Sequence, residues 1–400
     1  MLKKIPTTQL QVGMYVHTID CHWIDHPFFR SSFLVKDDEP LQMLNNSDIH
    51  HVVIDTEKGR DCDAEATVDE IQDALAKTCN KVEENRAVLS KQVTVSEEIN
   101  NARTIYKEAT HVIHKLMDDV RLGKQVELEH LEPVTEKIIN SVFRNKDALI
   151  SLTRIKDRDE YTFMHSVSVS ALMATFARNQ NMPMAVIEDV AMGGLLHDVG
   201  KMLVPNEVLS KPEQLSDEEY KIMKLHVNMG YEILSTTTGL SQDALDVVRL
   251  HHERIDGSGY PRGLKGDEIS EIGLMSNIVD VYDAMTSVRC YKNAWEPSFT
   301  LKKLLEWSDS HFSKDLVESF IGCLGIYPVG SLVQLKSGLI GIVMEQGEND
   351  LLRPNLRIIY NSRYKKYVQV KDVKLKKLPE DMIVQAVSPA RYNIDLAAFI

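Results

Sequence analysis

The stretch HHERIDGSGYP, residues 251–261, places two neighbouring imidazoles at the end of an apolar segment and follows them at once with a Gly-Ser-Gly-Tyr-Pro turn. Read alone it leaves two meanings open, a metal site with a substrate loop beside it or an ordinary helix end. The residues before it, 242–250, repeat apolar side chains at helical spacing. The chain around them does the same at 163–177, 185–196, 220–234 and 272–288, with Pro183, Gly200, Pro205, Pro212 and Gly239 as punctuation. Residues from about 134 to 325 therefore read as an α-helical bundle with short loops.

Outward from the bundle the pattern changes twice. Before it, the first 64 or so residues mix short β-rich runs (GMYVHTI, FFRSSFLV, HHVVID) with polar breaks, as expected of a small α/β or mostly β head. A helical arm follows, with one stripe through Val68, Ile71, Leu75, Cys79 and Val82 and another through Ile99, Ala102, Ile105, Ala109, Val112, Leu116 and Val120. Such stripes pack on their own domain or form a dimer seam. RLGKQVELEHLEPV reads as a loop, with Gly123 ending one helix and Pro133 opening the next. After the bundle, SLVQLKSGLIGIVMEQ and LRIIYNSRYKKYVQV have the Val, Ile, Tyr and Gly content of a small antiparallel sheet. Its lysines, Lys365, Lys366, Lys371, Lys374, Lys376 and Lys377, fit a solvated face, since no ladder of aromatic rings accompanies them. The expected division is a multidomain, mainly α chain: an N-terminal accessory domain over 1–130, the helical domain over 131–325 and a β extension over 326–400.

Charge narrows the function. With 400 residues, 43 % hydrophobic content and a net charge of −13, the chain can bury a sizeable core but lacks the basic face that grips long nucleic acid. A small anion would need local attraction from metal ions and a few placed cations. The five cysteines (Cys21, Cys62, Cys79, Cys290, Cys323) are scattered and never form a C-x-x-C pair, which argues against a disulfide framework or a zinc ribbon and for a reducing compartment. No run resembles a signal peptide or a membrane span, so the expected location is cytoplasmic.

The bundle concentrates the metal-ligating side chains. They are His165 in YTFMHS, His197 and Asp198 in LLHDVGK, His226 in KLHVNMG, the pair His251 and His252, and Asp280 in SNIVDVYDAM. Imidazole is the commonest protein metal ligand, and a mixed imidazole and carboxylate set suits Fe, Mn, Zn or Ni rather than Mg or Ca. Five imidazoles and two carboxylates exceed the need of one ion. Two ions sharing a bridging carboxylate would use them all, and Asp198, beside His197 at a helix end, is the natural bridge. Two such ions hold a water or hydroxide and lower its pKa from about 15.7 towards neutral, which points to hydrolysis at phosphorus.

HDVGK at 197–201 together with HHERIDGSGYP at 251–261 resembles the HD-GYP group of the HD metal-dependent phosphohydrolases. KMLVPNEVLSKPEQLSDEEYKIMKLHVNMGYEIL resembles that family's linking region and DVYDAMTSVRCYKNA its later helix, so the likeness spans roughly residues 135–325. The resemblance implies an all-helical HD-type bundle and a phosphodiesterase for cyclic di-GMP, giving pGpG or, after a second cut, GMP. It implies His165, His197, Asp198, His226, His251, His252 and Asp280 as ligands of two divalent ions, Fe or Mn first and Ni, Co or Zn next. By the same likeness Asp198 and Lys201 are catalytic, with Lys201 on the scissile phosphate. Tyr260 would contact the dinucleotide, and Arg289 and Lys292 would hold phosphates and a guanine edge. The loop's Glu253 and Asp256 are left as orienters of imidazoles or stabilisers of the loop.

The sequence departs from the family in places. The glutamate that holds a third metal in some members is Tyr161 here, with Glu160 one step away, hence the expectation of two ions. Arg-Cys-Tyr stands at 289–291 for the frequent Arg-Pro-Tyr, and Asn206 for a common Asp. VGMYV and FLVKDDEPLQMLNNSDIHHVVIDTEKG resemble an uncharacterised domain that often precedes this catalytic unit; it lacks the acidic pair of a phosphoacceptor receiver and is expected to cover or orient the bundle. Three alternatives remain: a phosphodiesterase preferring the hybrid cyclic GMP-AMP, an HD-type hydrolase of ordinary nucleotides, and a non-hydrolytic module that binds the dinucleotide. A homodimer or a signalling protein partner is compatible with each.

Overall fold

The computed structural model describes residues 2–7, 10–20, 33–36, 41, 51–56, 58–60, 93–152, 161–211, 213, 215–287, 294–308, 310–347 and 350–399. The chain divides into two compact units, a head at the N-terminus and a larger unit that holds the bundle and the C-terminal sheet. In the head, β1 (Leu2–Pro6), β2 (Tyr15–Asp20), β3 (Phe33–Leu34) and β4 (His51–Asp55) form one sheet in the order β1-β4-β2-β3. All its pairings are antiparallel, with Ile5 opposite Val52 and Val16 opposite Ile54. Alternation puts Ile5, Val16, Val52 and Ile54 into a small core with Leu10, Met14 and Val35. The stripe expected at Val68–Val82 lies outside the described residues.

The larger unit opens with α1 (Val95–Arg121). Thr94 and Glu97 cap it reciprocally, each side chain accepting from the other's backbone N–H. Its buried stripe, Ala102, Ile105, Ala109, Leu116 and Val120, joins the main core, so these side chains are consumed by packing within the unit. The helix ends before Gly123, whose φ of +76° is costly for any residue with a Cβ. α2 (Glu132–Leu152) breaks at Asn145, where the amide reaches the Val93 carbonyl and the side-chain oxygen accepts from the Asp147 N–H.

α3 (Tyr161–Asn179), α4 (Met184–Leu196) and α9 (Glu271–Thr286) form the buried centre, and their near-continuous apolar content follows from contact on several sides. Around them lie α5 (Asn206–Leu209), α6 (Asp217–Lys224), α7 (His226–Ser235), α8 (Gln242–Leu250), α10 (Pro297–Glu306) and α11 (Lys314–Leu324). The single apolar period at 220–234 is in fact two helices. They part at Leu225, whose N–H closes a tight turn onto Ile222, and α7 then starts on His226.

The C-terminal strands β5 (Leu332–Leu335), β6 (Leu339–Glu345), β7 (Asn355–Asn361), β8 (Lys366–Lys374) and β9 (Ile383–Ala386) make an antiparallel sheet ordered β8-β7-β6-β5-β9, followed by α12 (Pro389–Tyr392). Leu332, Ile340, Ile342, Ile359 and Tyr360 form its core, while the lysine-bearing edge strand β8 is largely exposed. Among the described residues no helix is long and apolar enough to cross a membrane. Cys323 is a free, buried thiol; the other four cysteines lie outside the described residues.

Candidate metal centre

Helix ends aim the imidazoles. The last carbonyls of a helix lack intrahelical partners, and a histidine placed there can turn Nδ1 back onto one of them. His197 does so at the end of α4, onto Gly194 O at 2.9 Å. His226 takes Met223 O at 2.7 Å, and His251, just past α8, takes Val248 O at 2.9 Å. With Nδ1 donating, each Nε2 keeps its lone pair and faces the space between the helices. His165, in the first turns of α3, is held differently: its Nδ1 meets Asp283 Oδ2 at 2.6 Å, leaving Nε2 3.0 Å from Asp280 Oδ1 and 3.3 Å from His197 Nε2.

Asp198 stands in the middle. Its Oδ2 lies 3.3 Å from His197 Nε2, 3.7 Å from His165 Nε2 and 2.5 Å from Lys201 Nζ. Its Oδ1 looks the other way, 3.5 Å from His226 Nε2 and 3.9 Å from His251 Nε2. Three sets of donor atoms each gather within 4.8 Å: His165, His197 and Asp280; His226, His251 and His252; and His197, Asp198 and His251, which links the other two. Asp280 Oδ2 approaches His252 Nδ1 at 3.7 Å.

This packing depends on two glycines. Gly200 lets the turn after Asp198 press onto α7, since a Cβ there would overlap the His226 carbonyl oxygen and crowd the Gly230 backbone nitrogen. Gly259 likewise lies against the backbone of Glu253 and Arg254, where a Cβ would not fit. The GYP loop folds back through it, and the Tyr260 ring comes to rest 4.6 Å from the His252 ring, centre to centre. Glu253 stabilises the loop rather than orienting an imidazole: its carboxylate accepts from the N–H groups of Arg262 and Leu264, at 2.7 and 2.9 Å, and Asn277 donates to its carbonyl. Asp256 accepts from the Ser258 N–H within the same loop.

The electrostatics favour a cation. Burial, reinforced by the charge on His197, pushes His251 down to about 3; burial, with Lys201, pushes His226 down to about 4. Burial, with His251, also holds His252 well below its usual range. All three are neutral donors at neutral pH. Burial works against ionisation of Asp198 and Asp280, yet their basic neighbours outweigh it, His197 and Lys201 for the first and His165 for the second, and hold both carboxyls far below the usual range. Those anions in turn overcome burial at His197 and raise its pKa. Asp198 Oδ1, His226 Nε2 and His251 Nε2 are buried without a hydrogen bond. Each such orphan costs about 1–3 kcal/mol, and a shared cation would satisfy all three. The residues fit metal ions.

Asp283 lies outside the candidate ligand set read from the sequence, although it follows Asp280 by three residues and so shares that face of α9. A carboxylate that fixes the ring and tautomer of a ligand typically carries 10–100-fold in metal affinity. Asp283→Asn is therefore expected to weaken metal binding by about 10–100-fold with the fold intact, measured by chelator competition. An unchanged affinity would make Asp283 a packing residue. Arg289 and Lys292 lie outside the described residues, as does Glu160.

Comparison with known proteins agrees with this architecture. Residues 2–131 match the model of a domain of unknown function, DUF3391; residues 133–316 match the HD domain; residues 332–394 match a KOW domain associated with the HD domain. A cyclic di-GMP phosphodiesterase of Pseudomonas aeruginosa is 39 % identical over 366 residues, covering 91 % of this chain and 87 % of that protein. A cyclic di-GMP phosphodiesterase of Thermotoga maritima is 37 % identical over 41 % of this chain and 45 % of its own. A 3'3'-cGAMP-specific phosphodiesterase of Vibrio cholerae is 42 % identical over 31 % of this chain and 24 % of its own. The paired HD and GYP motifs, the helical bundle that joins them and the full-length likeness place this chain in the HD-GYP family of HD-domain phosphohydrolases.

Proposed function

We propose that the protein is a metal-dependent phosphodiesterase that opens cyclic di-GMP to linear pGpG, with GMP arising from any second cut. The observation that carries this reading is Asp198 lodged between two sets of imidazoles, one carboxylate oxygen toward each. In this reading His165, His197, Asp198, His226, His251, His252 and Asp280 would hold two divalent ions, Fe or Mn in preference to Ni, Co or Zn. Such ions supply Lewis acidity and a water acidic enough to ionise near neutral pH. The chain's own residues do the rest. Backbone carbonyls and Asp283 aim the ligands, and Lys201, 24 % exposed in its side chain beside Asp198, meets the scissile phosphate. Tyr260 walls the substrate, and Arg289 and Lys292 are assigned to its phosphates and a guanine edge. Water adds at phosphorus, the P–O3′ bond breaks and O3′ leaves with a proton, so that the phosphate stays on the 5′ side.

The same proposal divides the chain at 130/131 and 325/326, with the first segment as a regulatory domain. The Vibrio relative supports a second reading, preference for cyclic GMP-AMP. Chromatography of products from both cyclic dinucleotides, with protein reconstituted separately with Mn and Fe, is the test. Conversion of cyclic di-GMP to pGpG, faster than that of cyclic GMP-AMP, is the expected result. Metal-loaded protein that opens neither ring would sink the proposal; faster opening of cyclic GMP-AMP would replace it with the second reading.

A further inference from the structure

Beside the metal cluster lies a cleft lined by Lys221, Lys224, Leu225, Asn228, Tyr260 and Pro261. Tyr260 is the wall that the two share, since its ring touches the His252 imidazole on the cluster side and lies 5.6 Å from the Lys224 ammonium. Lys221 and Lys224, one turn apart at the end of α6, project from the same face of that helix. The Lys224 ammonium also stands 4.8 Å from the centre of the Tyr220 ring, whose edge-to-face contact with Tyr260 at 6.5 Å completes an aromatic corner.

Lysines in a last helical turn are common because the helix dipole favours them there. What distinguishes this pair is its place in a cleft beside the imidazole cluster. Lys201 is matched by Asp198 and Lys211 by Glu219, whereas among the described residues neither Lys221 nor Lys224 has a carboxylate partner. In a chain of net charge −13, two ammoniums with no carboxylate partner among the described residues, beside the imidazole cluster, favour a local anion. Tyr260, Pro261 and Leu225, the last 44 % exposed, add apolar surface to the same cleft, and the Asn228 carboxamide adds one donor and one acceptor. Cationic and aromatic side chains lining one cleft match a nucleotide, with its anionic phosphate joined to a planar base.

We propose that this cleft is the subsite for the half of the dinucleotide that is not being cut, with Lys221 and Lys224 pairing with the second phosphate while the first lies at the metals. This rests on the cyclic dinucleotide reading above and extends it to residues outside the HD and GYP motifs. A substrate with two phosphates then gains what a simple phosphodiester cannot, and specificity for dinucleotides arises partly on α6. The linear product keeps both phosphates, so the cleft also delays its release.

The test compares the wild type with Lys221→Ala, Lys224→Ala, the double variant and Lys224→Arg, each checked for its melting temperature and metal content. Two substrates are used, cyclic di-GMP and bis(p-nitrophenyl) phosphate, a diester with no second phosphate. Loss of one charge-assisted contact corresponds to about tenfold in affinity. The double variant should raise KM for cyclic di-GMP at least tenfold more than for the small diester, with kcat changed less than KM. It should also weaken binding of pGpG, titrated calorimetrically, by a similar factor, and Lys224→Arg should recover most of the loss. Equal losses on both substrates, or no loss on either, overturn the inference. Wild-type protein that cleaves the small diester but neither binds nor cuts a cyclic dinucleotide overturns the substrate reading and the subsite with it.

Discussion

Asp198→Ala is expected to lower the turnover of cyclic di-GMP by about 10³-fold or more and to cost the protein most of its bound metal. The size follows from position. One oxygen of Asp198 faces His197 and His165 and the other faces His226 and His251, so its removal would take the carboxylate proposed as a ligand from both halves of the centre at once. Several kcal/mol of transition-state charge stabilisation pass through such ions, and each 1.36 kcal/mol is a factor of ten in rate. Asp198→Asn is the sharper comparison. It keeps the shape but loses the charge, and a neutral amide is a poor bridge between cations. Elemental analysis beside kinetics decides the matter. A variant that retains two ions per chain and near-normal turnover would remove Asp198 from the centre of the mechanism. Helical content and melting temperature, recorded together, separate loss of metal from loss of fold.

Gly200→Ala is expected to destabilise the bundle by about 3 kcal/mol or more, although only a methyl group is added. Its Cβ would overlap the His226 carbonyl oxygen at the start of α7 and press on the Gly230 backbone nitrogen, and neither is the free end of a flexible side chain. Relief requires the turn after Asp198 and α7 to move apart. That movement would draw His226 away from Asp198 Oδ1, so metal affinity should fall along with stability. Urea denaturation gives the first quantity and chelator competition the second. Gly123→Ala provides the contrast, because nothing lies within 4 Å of its Cβ and only the left-handed backbone at φ +76° resists the change. A cost of about 1 kcal/mol is expected there, with metal binding unaffected. If Gly200→Ala proves no worse than Gly123→Ala, the close approach is not what positions His226.

Much of the fold was legible because helices and strands announce themselves locally. The periods at 163–177, 185–196, 242–250 and 272–288 correspond to α3, α4, α8 and α9, since an apolar repeat near 3.6 needs no knowledge of distant residues. The break at Leu225 was invisible for the same reason: the apolar spacing runs on through it, while the close approach of α7 to Gly200 is a contact with a remote turn. Donor chemistry was likewise legible in residue type, but not its division of labour. Glu253 and Asp256 could serve imidazoles or loop amides on sequence grounds, and only folding brings Arg262 and Leu264 back onto Glu253.

The letters alone determined the helical class, the kinds of candidate metal ligand and the family likeness, because periodicity, protonation chemistry and motif order are properties of short segments. Tertiary structure decided which carboxylate stands between the two sets of imidazoles, that Asp283 steers His165 across 118 positions, and that two lysines of α6 share a cleft with Tyr260. Those are contacts between remote parts of the chain. They are fixed by how helices pack against one another, a quantity that no spacing within a single helix encodes.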